Sequence, residues 1–393
     1  MRFPAENNDN SNDNKVILVI SDLHLSAGAL VFGRKNPLED FFFDRELIDF
    51  LKYYSSAEYR EKEVELILNG DFLDFLAVPF VPFFDDEYWK EDASIVKLKM
   101  IMEAHKDIFV ALKNFISEEI PNKKIIYILG NHDAEMLFPQ VRKIFNNFLF
   151  GDNDQLAGSR FLFNLKENCY RPHKKILIKH GHEYESAHSF STARSIIRNK
   201  DNQLYFLPSW GAYYVIRVIN KFKEQRYFIN AVRPIRTFII YGMIFDTLFT
   251  IRFLFANFYY VIMVIFLSFL RQTKKSRPNI FKIIKSTINS TVRETKLFQD
   301  YESLTREEFI NDEQLRLLIV GHTHVPSMRT YADGTVFINT GSWPKIYNLD
   351  LARQQEGHQL TYAIIDIDNL GKLESHLLVW EGHRNLPYSH FIA

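Results

Sequence analysis

Residues 66–74 read Leu-Ile-Leu-Asn-Gly-Asp-Phe-Leu-Asp. Leu66, Ile67 and Leu68 form a short apolar run of the kind buried in a parallel or mixed sheet. Asn69 and Gly70 end it, and glycine lets the backbone turn sharply and approach a bound group. Asp71 and Asp74 then fall just past the C-terminal end of a strand, where open α/β sheets place their ligands. Taken alone, this is also the sequence of a strand followed by a solvated turn. It gains weight because the same grammar recurs four times.

Val16–Ile20 is a continuous apolar run ending in Ser21-Asp22-Leu23-His24. Ile125–Leu129 ends in Gly130-Asn131-His132-Asp133, Lys175–Lys179 in His180-Gly181-His182, and Leu315–Val320 in Gly321-His322-Thr323-His324. Thr335–Ile338 leads into Asn339-Thr340-Gly341-Ser342-Trp343, and two further strands are expected near 361–367 and 374–380. Helical spacing predicts a helix over 38–54 and a long amphipathic helix over roughly 92–118, with Val78–Phe84 a loop. Each of the five blocks delivers Asp, Asn or His to a strand end. Oxygen and imidazole donors suit Mn, Fe, Zn, Ni or Co and differ from the all-oxygen cage of calcium. One Asp-x-His arises by chance; five such blocks in succession do not.

The order Asp22-x-His24, Gly70-Asp71-x-x-Asp74, Gly130-Asn131-His132-Asp133, His180 and Gly321-His322-Thr323-His324 resembles the calcineurin-like metallophosphoesterase superfamily. The match covers about 15–185 and 312–380. The resemblance implies an α/β (α+β) fold, a four-layer αββα sandwich of two mixed sheets with two divalent metal ions at the strand ends. Manganese is the first expectation for both ions, with iron, zinc, nickel or cobalt as alternatives. It further implies that Asp22, His24 and His324 hold one metal, that Asn131, His180 and His322 hold the other, and that Asp71 bridges them. His132 then resembles the non-ligand histidine of the family, positioned by Asp74 to protonate the leaving oxygen. His182 reads as a support for His180 or an ordinary loop residue.

The 393 residues are 47% hydrophobic and 24% charged with zero formal net charge, which admits one large domain with an insertion or two domains. Cys169 is the single cysteine, which excludes an intrachain disulfide and a Cys-based zinc cluster. Residues 1–14, rich in Asn and Asp and without an apolar h-region, are expected to be a disordered tail. The expected division is a phosphoesterase domain of 15–185 and 312–393 around a helical insertion of 186–311.

Between His180 and His322, Glu183–Lys200 is polar, and a helix there would bring His188, Arg194 and Arg198 near one another, within reach of a substrate phosphate. From Gln203 to Asp300 there are fifteen basic residues against four acidic ones, a net of +11 balanced by −11 elsewhere. Such a segment is attracted to a polyanion or an anionic membrane. Phe253–Leu270 has no charged residue and reaches the length of a membrane span. Yet His180 and His322 serve one site, so the chain must return to the side it left. The preceding run, Thr237–Ile251, carries Asp246 and is separated from the next by Arg252 alone, too little for the turn of a spanning hairpin. Amphipathic helices in the membrane interface are expected, against a cap buried in the protein or a dimer. A helical insertion beside such a site is also similar to the acyl-chain lid of UDP-2,3-diacylglucosamine diphosphatases. Here His132 replaces that branch's typical arginine, and the insertion is longer.

The expected function is dinuclear-metal hydrolysis of a phosphate ester or pyrophosphate on an amphiphilic or lipid-linked substrate. The expected place is the inner, cytoplasmic face of a membrane, with peripheral attachment. The alternatives are a soluble nuclease or nucleotide phosphodiesterase gripping nucleic acid with the basic insertion, and a membrane-binding module with a dead site.

Overall fold

The computed structural model describes residues 15–79, 88–117, 119–120, 122–151, 159–165, 167–185, 187–273, 305–349, 360–367, 373–382 and 385–387. Its main strands are β1 (Lys15–Ile20), β2 (Val64–Asn69), β3 (Lys123–Ile128), β4 (Phe161–Phe163), β5 (Cys169–Tyr170) and β6 (Ile176–Lys179). They continue with β7 (Leu317–Val320), β8 (Ser327–Thr330), β9 (Val336–Asn339), β10 (Thr361–Ile367), β11 (Leu373–Trp380) and β12 (Asn385–Pro387). One sheet runs β12-β11-β10-β1-β2-β3-β4 and the other β8-β9-β7-β6-β5. Both are mixed: β1, β2, β3 and β4 are parallel while β10 is antiparallel to β1, and β6, β7 and β9 are parallel with antiparallel edges.

The period of two along each strand assigns the layers. In β1, Ile17 and Val19 face the second sheet and join Ile67, Ile126, Ile178 and Ile319 in a dry core between the sheets. Val16, Leu18 and Ile20 point the other way, toward α1 (Asp44–Tyr54), α2 (Glu91–Ala104), α3 (Lys106–Phe115) and α4 (Pro139–Phe150). On the far side, Phe309 of the helix at 305–311 covers Leu177, Leu318 and Val320. The order of layers is helix, sheet, sheet, helix. Each fully buried aliphatic side chain contributes about 1.5–3 kcal/mol, so this core sets the sheet spacing and the positions of the strand ends.

Two helices differ from the sequence expectation. The helix expected over 38–54 begins at Asp44. Glu39 holds the preceding segment as a loop, accepting from the backbone amides of Gly28 (2.5 Å) and Phe41 (3.0 Å). The helix expected over 92–118 is two helices broken at His105, whose φ of −113° and ψ of 32° leave the helical region. The break aims the His105 ring at Asp44 (2.7 Å) and Glu39 (3.6 Å), tying it to the start of α1. The tail at 1–14, most of the loop expected at 78–84, and the basic residues of the insertion beyond residue 273 lie outside the described residues.

The helix expected in 183–200 is absent from the described residues; Ile196–Arg198 and Leu204–Phe206 form a hairpin instead. A helical run follows at 210–223, with a wider π turn at Val215–Ile219. Next come α5 (Ile235–Phe245) and α6 (Thr247–Thr273). The break between them falls at Asp246 and not at Arg252, which lies inside α6. Arg226 clamps the Asp246 carboxylate (2.6 and 2.9 Å). Gly242, lacking a side chain, admits Thr250 at the corner. The insertion is stapled to the sandwich by buried Lys223, which reaches Asp40 (2.7 Å) and the Leu38 carbonyl (3.0 Å). Among the described residues no helix is long and apolar enough to cross a membrane.

Burial pushes the His105 pKa down, but the Asp44 hydrogen bond and nearby Glu39 outweigh it and raise it to about 9. A group with a raised folded-state pKa stabilises fully below its unfolded value, near 6.5, and loses that contribution as pH rises through about 9. Urea unfolding in chelator at pH 6 and pH 9.5 should show a larger loss for wild type than for His105→Gln. Equal losses would contradict the assignment.

Candidate metal centre

The C-terminal ends of the parallel strands of both sheets meet along one edge. Asn69 donates to the Lys179 carbonyl (2.9 Å), Asp22 N to Gly70 O (3.1 Å), and Gly321 N to His180 O (2.8 Å). Five side chains at this seam sit on left-handed backbone: Asp22 (φ 54°), His24 (54°), Asp71 (50°), His322 (70°) and His324 (62°). Non-glycine residues avoid that region, at a cost of about 1–3 kcal/mol each, and it is tolerated where surrounding contacts over-determine it. Gly70 (φ 79°) and Gly130 are needed for close approach. A Cβ on Gly70 would enter the His180 ring, and one on Gly130 would meet the carboxylate and amide of Asp71.

These backbones bring the sequence-selected side chains together. Asp22, His24 and His324 offer ligand atoms within 4.8 Å of one another, and so do Asp71, His180 and His322. His324 Nε2 lies 3.1 Å from His24 Nε2 and 3.3 Å from Asp22 Oδ1. His24 Nε2 lies 3.7 Å from Asp71 Oδ2, and His180 Nε2 lies 3.3 Å from the same oxygen. Asp71 therefore stands between the two groups. Its other oxygen accepts the His132 amide (2.8 Å), and both oxygens of Asp22 accept the His322 amide (2.9 and 3.1 Å).

Asp22, Asp71 and His180 are buried. Burial alone would raise the two carboxylates; neighbouring His180 offsets this most, and Asp71 is held well below the usual range. His180, in turn, is pushed up to about 10 by Asp71 and Asp22 against the opposing effect of burial. A cation between these groups is what the geometry calls for. The His180 Nδ1 donates to the Asn69 carbonyl (2.8 Å), which in the neutral ring makes Nε2 a lone-pair donor facing a carboxylate oxygen. His180 Nε2 and Asn131 Oδ1 are buried without hydrogen-bond partners among the described residues. Orphaned donor atoms of this type and setting fit a divalent metal.

A third group joins His24, Asp74 and His132. Asp74 holds His132 Nδ1 (2.9 Å) and His24 Nδ1 (3.1 Å), and caps the turn at 75–77 through the amides of Leu76 and Ala77 (3.0 Å each). Burial lowers the His132 pKa and the adjacent Asp74 and Asp71 more than reverse this, raising it to about 9.

His188 lies at the seam, with Nδ1 3.4 Å from Asn131 Nδ2 and its ring 5.2 Å from that of His322. Arg194 and Arg198 do not join it. Arg194 is an exposed turn residue, and Arg198, on the hairpin, bonds Asn202 (3.0 Å). His182 is buried and stacked on Phe190 (4.8 Å between centroids), with neither nitrogen hydrogen-bonded among the described residues.

Three contributions lie outside the expected ligand set. Asp133 accepts from Gly130 N (2.6 Å), Tyr127 OH (2.7 Å) and Phe72 N (3.1 Å), locking the Asp71 and Asn131 loops together. Its place in the Gly-Asn-His-Asp block was the available signal. Asp74 supports His24 as well as His132, a long-range contact without a local signature. Glu185 reaches His322 Nε2 (3.0 Å) from a segment whose only mark is a Glu-x-x-His spacing.

A family model described as calcineurin-like phosphoesterase matches residues 15–210. Among solved structures, a predicted phosphoesterase from Streptococcus pneumoniae aligns at 12% identity over 96% of each chain, with a TM-score of 0.30. A dimetal phosphatase from Danio rerio aligns at 12% identity over 93% of this chain and 99% of its own, also with a TM-score of 0.30. A zinc complex of Vps29 from Entamoeba histolytica aligns at 18% identity over 21% of this chain and 43% of its own, with a TM-score of 0.17. No curated protein matches the chain significantly. With the family model on the strands that carry Asp22, Asp71, Asn131 and His180, the chain belongs to the calcineurin-like metallophosphoesterases and is a metal-dependent phosphoesterase.

Proposed function

We propose that the enzyme hydrolyses a phosphate ester or pyrophosphate bond of an amphiphilic, lipid-linked substrate at an anionic membrane surface. The observation that carries the catalytic part is the pair of ligand groups facing Asp71, with Asn131 Oδ1 and His180 Nε2 left as orphaned donors. In this reading Asp22, His24 and His324 hold one ion, Asn131, His180 and His322 the other, and Asp71 lies between them. Manganese is the proposed metal. Two bound ions supply a clamp for phosphoryl oxygens and lower the pKa of water. His132, fixed through Nδ1 by Asp74, carries the proton given to the leaving oxygen.

The exposed apolar surface of α5 and α6 supports the lipid part: Phe245 is 82% exposed, Leu248 71% and Phe255 69%. Large exposed apolar side chains on a basic segment suit a helix pair lying in the headgroup region. The insertion also reaches the catalytic side, since Asn220 donates to the Leu76 carbonyl (2.7 Å) in the turn that Asp74 caps. A metallophosphoesterase domain of 15–185 and 312–393, with 186–311 as its membrane-facing helical insertion on the cytoplasmic side, belongs to the same proposal. The excess of basic residues in the insertion favours a second reading, nucleic-acid hydrolysis.

Manganese-loaded protein should turn over bis(4-nitrophenyl) phosphate and Asp71→Ala should not; comparable rates would remove the catalytic reading. His132→Ala should keep its metal while kcat falls by about 10²–10⁴-fold, the range of general acid–base catalysis. Metal loss in that variant, measured by elemental analysis, would reassign His132 as a ligand. Wild type should float with anionic phosphatidylglycerol liposomes, and a Phe245→Glu/Leu248→Glu/Phe255→Glu variant should not. Failure of wild type to float, with tight salt-sensitive binding to single-stranded DNA, would favour the nuclease reading.

A further inference from the structure

Beyond the strand-end groups, the segment after β6 brings a second pair of side chains to the site. Glu185 is 7% exposed, and its Oε2 lies 3.0 Å from His322 Nε2 and 3.6 Å from His188 Nε2. His188 Nδ1 faces the Asn131 amide nitrogen at 3.4 Å. One carboxylate thus touches two imidazoles, and the second imidazole touches Asn131. The insertion presses on this pair from outside. Gly211, at the start of the 210–223 helical run, donates to the Ala187 carbonyl (2.9 Å), and a Cβ there would lie 2.9 Å from the His188 ring.

We infer that Glu185 and His188 are positioning residues for one of the two metals, the one assigned above to Asn131, His180 and His322. The inference rests on that metalloenzyme reading. The chemistry follows from which atom each contact occupies. When His322 Nε2–H donates to Glu185, the neutral ring keeps its lone pair on Nδ1, the only atom left to bind a cation. When Asn131 gives its Nδ2–H to His188 Nδ1, its carbonyl oxygen is the end turned away from His188, and that oxygen is the orphaned one. The pair therefore selects both the tautomer of His322 and the flip state of Asn131. Among the described residues, this segment has no such contact with His24, which is oriented by Asp74. Because Gly211 buttresses His188, the insertion contributes to the metal site through this contact without supplying a ligand.

Manganese titration of metal-free full-length protein, followed by the electron paramagnetic resonance of free Mn(II), separates the cases. Wild type should bind two ions. Glu185→Ala should weaken one of them by about 10–100-fold, the usual effect of losing an orienting partner, and leave the other unchanged. His188→Ala should weaken the same ion, and Glu185→Gln, which keeps an acceptor near His322, should recover part of the loss. Circular dichroism melting of the nearly isosteric Gln variant controls for folding. Wild-type affinity for both ions in Glu185→Ala would overturn the inference and leave the metalloenzyme reading standing. A loss in Glu185→Gln as deep as in Ala would overturn it in favour of direct ligation. A wild type that binds no manganese would overturn both.

Discussion

Two carboxylates, Asp22 and Asp71, are almost entirely withdrawn from water at the seam of two sheets. A buried carboxylate needs positive charge beside it, because several kcal/mol of hydration are lost with nothing else to repay them. The chain meets this demand with imidazoles from four separate loops and with backbone amides of His132 and His322. Satisfying it places left-handed backbone at five of these residues, Asp22, His24, Asp71, His322 and His324. The inter-sheet core of β-branched side chains is what holds the strand ends close enough for those loops to stay in place. Stability and site geometry are therefore linked: the apolar core supplies the free energy, and the strained edge uses it.

Much of this was legible in the chain because strand ends and ligands share a local signature. An apolar run followed by Gly-Asp or Gly-Asn-His places its polar group at a sheet edge whatever the rest of the fold does. Asp22, His24, Asp71, Asn131, His180, His322 and His324 all follow such runs, and the structure brings all of them to one edge. The rest depended on contacts between segments. His105 interrupts a helical pattern that looks continuous, because its ring is drawn to Asp44 and Glu39 some sixty residues earlier. Arg194 and Arg198 have the spacing of a helix face, but Arg194 lies in an exposed turn and Arg198 in a hairpin strand, where that periodicity has no meaning. Glu185 carries no motif; only the fold shows that it stands beside His322.

The insertion combines two properties that compact domains rarely keep together. It has its own small core, with Val218, Ile229, Phe249, Phe253 and Tyr260 packed inside, and it leaves a row of large apolar side chains on the outside. A core of that size fixes the helix pair without consuming its whole apolar surface. Buried Lys223 and half-buried Asn220 then fasten the insertion to the segment at Leu38 and Asp40 and to the turn that Asp74 caps. The exposed apolar surface of the insertion is thus mechanically joined to the residues proposed to act on phosphorus.

These donors are proposed to seat two ions side by side. Electron paramagnetic resonance of the protein loaded with two equivalents of Mn(II) tests this most directly. Ions about 3.5–4 Å apart, the spacing of two-metal hydrolases, should give the multiline spectrum of an exchange-coupled pair. The isolated six-line spectrum of uncoupled Mn(II), persisting at full loading, would contradict it.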